Sequence, residues 1–109
     1  MLLPTEPTKA TNDPARLKIL LYGKAKVGKS TWAAGAPKTL FLATEPGLGA
    51  IECYQVPIGN WTDLREAFVL LKSGGHGFET VVIDTIGNAY RMAREAAIAE
   101  YNAAHRGVP

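Results

Sequence analysis

Three features of the sequence predict an α/β fold built on a mainly parallel sheet. Strand-length apolar runs at residues 17–22, 39–44 and 80–83 alternate with stretches of helical period. The runs are close to continuously apolar instead of alternating with polar residues, which suits strands covered on both faces. Each run also ends in a loop or side chain able to do chemistry, and the ligands of open α/β sheets collect at strand carboxyl ends.

Taken in order, residues 1–16 carry Pro4, Pro7 and Pro14 among Thr, Asn, Asp and Lys, with no apolar period after Leu2 and Leu3. They read as a flexible N-terminal arm, and the domain is expected over residues 17–109. Its first element is a buried strand made by Leu17, Ile19, Leu20, Leu21 and Tyr22. Directly after it, Gly23-Lys24-Ala25-Lys26-Val27-Gly28-Lys29-Ser30 fits the pattern G-x-x-x-x-G-K-S/T, and Thr31 continues into a helical turn. This is the pattern of a nucleoside triphosphate site. Gly23 and Gly28 permit backbone angles and close approach that a side chain blocks, so successive N–H groups can turn inward around a phosphate. The helix that follows adds unpaired N–H groups and the positive end of its dipole. Lys29 brings an ammonium to the β- and γ-phosphates, and the Ser30 hydroxyl coordinates Mg²⁺. Lys24 and Lys26 either touch phosphate or are solvated loop lysines.

That helix should be short, because Gly35 and Pro37 break it, and Trp32 and Ala33 are expected to face the sheet. The run at residues 39–44 reads as a second buried strand that ends in Glu45-Pro46-Gly47. Its position makes Glu45 either a catalytic carboxylate or a solvated turn residue. Residues 52–57 form a weaker strand, with Pro57 marking a sheet edge or a strand end. Asn60 then caps a helix, with Asp63 three residues on and Leu64, Ala67, Phe68 and Leu71 on one face. The helix should close near Ser73 at Gly74 and Gly75, leaving His76 as an exposed loop residue.

Val81, Val82 and Ile83 suit a fully buried parallel strand, and Asp84 stands at its end. This segment resembles a Walker B element, in which Asp84 supports the metal and Thr85 helps to orient water or sense the γ-phosphate. Residues 87–106 have helical composition, with Gly107 as a stop. Ile86, Tyr90, Ala93, Ala97 and Tyr101 trace a stripe expected to pack. Arg91, Arg94, His105 and Arg106 are expected on a solvated face in preference to contact with nucleic acid or a neighbouring subunit.

Composition bounds the rest. With 109 residues, 47% hydrophobic and 20% charged, the chain is sized for one modest soluble domain. A net charge of +2 argues for neither a nucleic-acid nor a membrane partner. The single cysteine, Cys53, excludes an intramolecular disulfide and a cysteine-cluster metal site. No run approaches the roughly 18 apolar residues of a membrane span, and the start lacks a signal-peptide pattern, so a cytoplasmic protein is expected.

The combined order over about residues 17–90 resembles the RecA-like P-loop ATPases, particularly small phage-encoded ATP-binding proteins linked to single-strand annealing and recombination. That order is strand, phosphate loop, strand ending in Glu45, capped helix, and strand ending in Asp84. The resemblance implies a RecA-like three-layer P-loop NTPase fold and the use of ATP with Mg²⁺. It implies that Lys29 and Ser30 bind phosphate and metal, that Asp84 supports the metal, and that Glu45 polarises the attacking water. In the complete or assembled form it implies ATP hydrolysis to ADP and phosphate coupled to DNA recombination, with single-stranded DNA and further copies of the chain as partners. One departure matters. RecA-like sheets insert a later strand between the phosphate-loop strand and the Walker B strand, so the sheet is expected to be incomplete at its C-terminal side, without the family's DNA-binding loops or an arginine or lysine finger. Two other classes stay open. One is a nucleotide or small-molecule kinase, whose phosphate-loop strand usually neighbours the Walker B strand. The other is a non-catalytic nucleotide-binding fragment that needs a partner or a C-terminal half.

Overall fold

The computed structural model describes residues 1–10, 13, 17–24, 28–46, 48–49 and 51–107. Its elements run α1 (Lys29–Ala34), β1 (Thr39–Ala43), β2 (Tyr54–Pro57), α2 (Trp61–Ser73), β3 (Thr80–Asp84) and α3 (Ile86–Ala104). The three strands form one parallel sheet in the order β2-β1-β3. Pro57 ends the edge strand β2, where a missing N–H costs no ladder bond on the open side.

β1 is the centre of the molecule because every one of its residues is buried. Strand alternation sends Leu40 and Leu42 to one face, where Ile58, Leu64, Ala67, Ala89 and Met92 meet them. Phe41 and Ala43 go to the other face and pack with Ala33 and Leu48. α2 and α3 therefore cover one side of the sheet and α1 the other, which makes three layers.

The helix boundaries follow local chemistry. Asn60 Oδ1 accepts the Asp63 N–H at 2.8 Å, and Asp63 Oδ2 accepts the Gly59 N–H at 3.0 Å, so two free donors at the start of α2 are satisfied. Leu64 and Ala67 are buried from the expected face, Leu71 is half-buried, and Phe68 is exposed. Gly74, with φ of 75°, ends the helix. His76 is exposed as expected, and its ring bridges the loop. Nδ1 accepts the Phe78 N–H at 3.1 Å, which leaves Nε2 to donate to the Leu71 carbonyl at 2.9 Å.

Four expectations are corrected. Residues 17–22 form no strand, and Ile19, Leu20 and Tyr22 are 61%, 67% and 88% exposed. An extended segment is fixed by a neighbour that pairs with its backbone groups. Among the described residues no strand pairs with this run, and none pairs with β3 on the side away from β1. For the same reason β3 is only partly buried, with Val81 exposed. In α1, Ala33 is buried while Trp32 points to solvent, since a rotation of about 100° per residue lets a six-residue helix turn only one of the two inward. On α3 the packed positions are Ala89 and Met92, and Ile86, Tyr90, Ala97 and Tyr101 are exposed. The contacts of α3 with α2 and β3 select that face.

The Cα radius of gyration is 18.0 Å, against roughly 13 Å for a compact domain of this length. The exposed residues 1–10 and 17–22 lie off the sheet, in keeping with that excess. Cys53 is half-buried just before β2 and packs under the α1 face.

Candidate active site

Parallel pairing places Ala43 beside Asp84, so β1 and β3 end level with one another. Thr44 N–H donates to the Asp84 carbonyl at 2.8 Å and carries the ladder one residue past the strand. The Thr44 hydroxyl accepts the Thr85 N–H at 2.7 Å and donates to the Thr85 carbonyl at 3.1 Å. These three bonds lock the two strand ends together. The peptide bond between Asp84 and Thr85 is cis.

On this crest the phosphate-loop motif meets the third strand. Ser30 Oγ donates to Asp84 Oδ2 at 2.6 Å, joining residues 54 apart in the chain. Next to Ser30, the Lys29 ammonium donates to the carbonyls of Gly23 at 2.9 Å and Lys24 at 2.7 Å, which draws the start of the loop over the start of α1. An ammonium has three donors, so one remains for a ligand and the other two can be exchanged. Gly28 caps α1 with φ of 95° and ψ of 18°, a left-handed conformation that side chains resist. Its carbonyl accepts the Trp32 N–H at 2.9 Å, and Thr31 is exposed on the same helix. Ala25, Lys26 and Val27, which complete the motif, and Gly47 beyond Glu45 lie outside the described residues.

Glu45 is exposed two residues beyond β1, on the side of the crest where α3 begins. Its Oε2 accepts a hydrogen bond from Asn88 Nδ2 at 2.9 Å. Thr85 Oγ1 accepts the Asn88 N–H at 3.4 Å and so serves as the N-cap of α3. The structure thus brings Ser30 to Asp84, turns the ammonium of the adjacent Lys29 onto the loop carbonyls, and sets Glu45 on the adjoining strand end. A cavity of about 540 Å³ lies elsewhere, under α2, among apolar residues such as Leu40, Ala67 and Phe78. The chemically equipped groups Ser30, Asp84 and Glu45 stand on the crest.

A family model described as an AAA domain matches residues 15–107. The chain belongs to this family. At that level it is an AAA-type P-loop ATPase, a class that binds ATP and generally uses it with Mg²⁺. Comparison with curated proteins and with solved structures finds no match. In the AAA domain the α/β architecture agrees with the expected class, with three parallel strands present among the described residues. No helix among those residues is long and apolar enough to cross a membrane.

The donor set at Ser30 and Asp84 fits Mg²⁺. Nucleotide sites hold this ion with one or two protein oxygens plus substrate phosphates, and a hydroxyl and a carboxylate oxygen 2.6 Å apart are two hard donors of that kind. No group of three or more His, Cys, Asp or Glu side chains suited to a metal occurs among the described residues.

Sequence reasoning missed Thr44 and Asn88. Thr44 read as the last residue of an apolar run, and only the parallel register brings its hydroxyl to Thr85. Asn88 carried one available signal, its place three residues after a threonine at a helix start. The contact with Glu45 spans 43 residues and has no local signature.

Proposed function

We propose that this AAA domain binds ATP with Mg²⁺ at the crest of the sheet and hydrolyses it to ADP and phosphate. The observation that carries the reading is the 2.6 Å contact of Ser30 with Asp84, which unites the motif hydroxyl with the strand-end carboxylate beside Lys29. The backbone N–H groups between Gly23 and Thr31 cradle the phosphates, with Gly28 permitting the turn. Lys29 exchanges its loop carbonyls for β- and γ-phosphate oxygens, and Ser30 with Asp84 would hold the metal. When bound there, Mg²⁺ would supply positive charge against the phosphate oxygens. Glu45 orients a water in line with the γ-phosphate and takes up its proton. The work of the site is positioning and charge stabilisation.

The resemblance of the motif order to phage-encoded annealing ATPases supports a finer reading, in which hydrolysis serves DNA recombination or single-strand annealing in the cytoplasm. Single-stranded DNA and further copies of the chain are then its partners, and single-stranded DNA should raise the rate of phosphate release. A kinase reading draws no support from the sheet, because residues 17–22 do not pair with β3. The reading as a binding module that gains turnover only with a further strand is favoured by the exposed apolar run at residues 17–22 and by the side of β3 with which no strand pairs among the described residues.

The test is thermal unfolding with and without Mg²⁺-ATP, followed by phosphate release. Nucleotide at about 100 times Kd raises stability by about 2.7 kcal/mol. That rise is expected in the parent chain and not in Lys29→Ala. Turnover that falls in Glu45→Gln while the nucleotide-induced rise persists assigns hydrolysis to Glu45. A rise without turnover assigns the binding-module reading.

A further inference from the structure

We propose that Asn88 is the positioning residue for Glu45: its side-chain amide holds the carboxylate in the orientation needed to direct the attacking water. This rests on the reading of Glu45 as the group that handles that water.

Glu45 alone has little to fix it. It is exposed, it follows the end of β1, and its carboxylate sits on three rotatable bonds. Among the described residues its one hydrogen bond or ion pair is the 2.9 Å contact with Asn88 Nδ2. Asn88, in contrast, stands on a braced element. Its N–H is capped by Thr85 Oγ1 at 3.4 Å, and the neighbouring Ala89 N–H donates to the Thr85 carbonyl at 3.2 Å. Ala89 itself is buried in the core. Thr85 is tied in turn to the hydroxyl of Thr44, whose next residue is Glu45. The contacts close a ring through Thr44, Thr85, Asn88 and Glu45, so the amide and the carboxylate are presented to each other by the same lock that joins β1 to β3.

The chemistry of the pair suits a base that must be held and still remain a base. A lysine or arginine would pair with the carboxylate through a full charge and compete with a water proton. An amide is a neutral donor. It engages Oε2 and leaves Oε1 able to accept from water. Helix capping does not explain the contact, because Thr85 already fills that role and the Nδ2 donor takes no part in it.

The experiment measures Mg²⁺-ATP turnover and nucleotide affinity in the full chain for Asn88→Ala, Glu45→Gln and the double variant. Positional losses of this kind are on the order of tenfold to a hundredfold in rate. Asn88→Ala is expected to lower kcat by about tenfold or more with nucleotide affinity unchanged. In the Glu45→Gln background the same change should alter kcat by less than about twofold, because the group it positions is already gone. If Glu45→Gln retains full turnover, the reading of Glu45 fails. If Glu45→Gln is impaired and Asn88→Ala is silent, or if the two losses multiply, the positioning role fails and the Glu45 reading stands. A second readout is independent of turnover. The side-chain amide resonances of Asn88 should be displaced from free-asparagine positions in the parent and return to them in Glu45→Ala. Resonances that are undisplaced, or indifferent to Glu45→Ala, overturn the proposal.

Discussion

Replacing Thr44 with valine keeps the shape of the side chain and deletes one oxygen. That oxygen accepts the Thr85 N–H at 2.7 Å and donates to the Thr85 carbonyl at 3.1 Å, on a residue only 8% exposed. Each ordinary hydrogen bond contributes about 0.5–1.5 kcal/mol net, and a buried donor left without a partner costs about 1–3 kcal/mol. Valine forfeits both bonds and strands the Thr85 N–H, so the expected loss is about 2 kcal/mol. With a urea slope on the order of 2 kcal/mol/M for a small domain, the unfolding midpoint should fall by about 1 M at unchanged slope. Thr44→Ser provides the control. It restores the oxygen and removes one methyl, a cost on the order of 0.8 kcal/mol. Equilibrium urea unfolding followed by far-UV circular dichroism makes the comparison. A valine variant as stable as the serine variant would refute the reasoning, since the hydroxyl would then contribute nothing to the lock between the strand ends.

Other expectations follow from burial and capping. Phe41→Ala empties a fully buried position in the central strand and should cost about 3–5 kcal/mol, read as a large drop in melting temperature or loss of a cooperative transition. Asn60→Ala removes the acceptor for the Asp63 N–H and should lower urea stability by about 1 kcal/mol, with Asn60→Asp retaining most of it. Leu20→Lys, in the exposed run, should change stability by less than about 0.5 kcal/mol. A loss above about 1.5 kcal/mol would mean that the run is packed in solution.

Local signals carried far into this fold. The boundaries of α2 were readable because Asn60, Asp63 and Gly74 act within a few residues of where they stand. β1 and β3 were readable from apolar runs, and the left-handed turn at Gly28 from its place in the motif. What failed was whatever depended on a neighbour. The run at residues 17–22 has the composition of a strand, but composition cannot supply the chain that pairs with it. The stripe from Ile86 to Tyr101 has helical spacing, yet α3 packs through Ala89 and Met92, because the elements beside it choose the face. In the site, Lys29, Ser30 and Asp84 were legible as types. The meeting of Ser30 with Asp84 at 2.6 Å, and the link of Glu45 to Asn88, join residues 54 and 43 apart in the chain and depend on how the sheet brings its strand ends together.

The level ends of β1 and β3 have a consequence for how this molecule tolerates change. Lateral separation between the ends of β1 and β3 is set by one strand spacing, about 4.8 Å, and not by the length of chain that connects them. The turn at residues 74–77 lies in that connection, is exposed, and is rich in glycine. Doubling such a loop adds only about 0.6 kcal/mol of closure entropy. Insertions there should leave Asp84 where it stands beside β1, so the connection can diverge in length and content while the crest keeps its geometry.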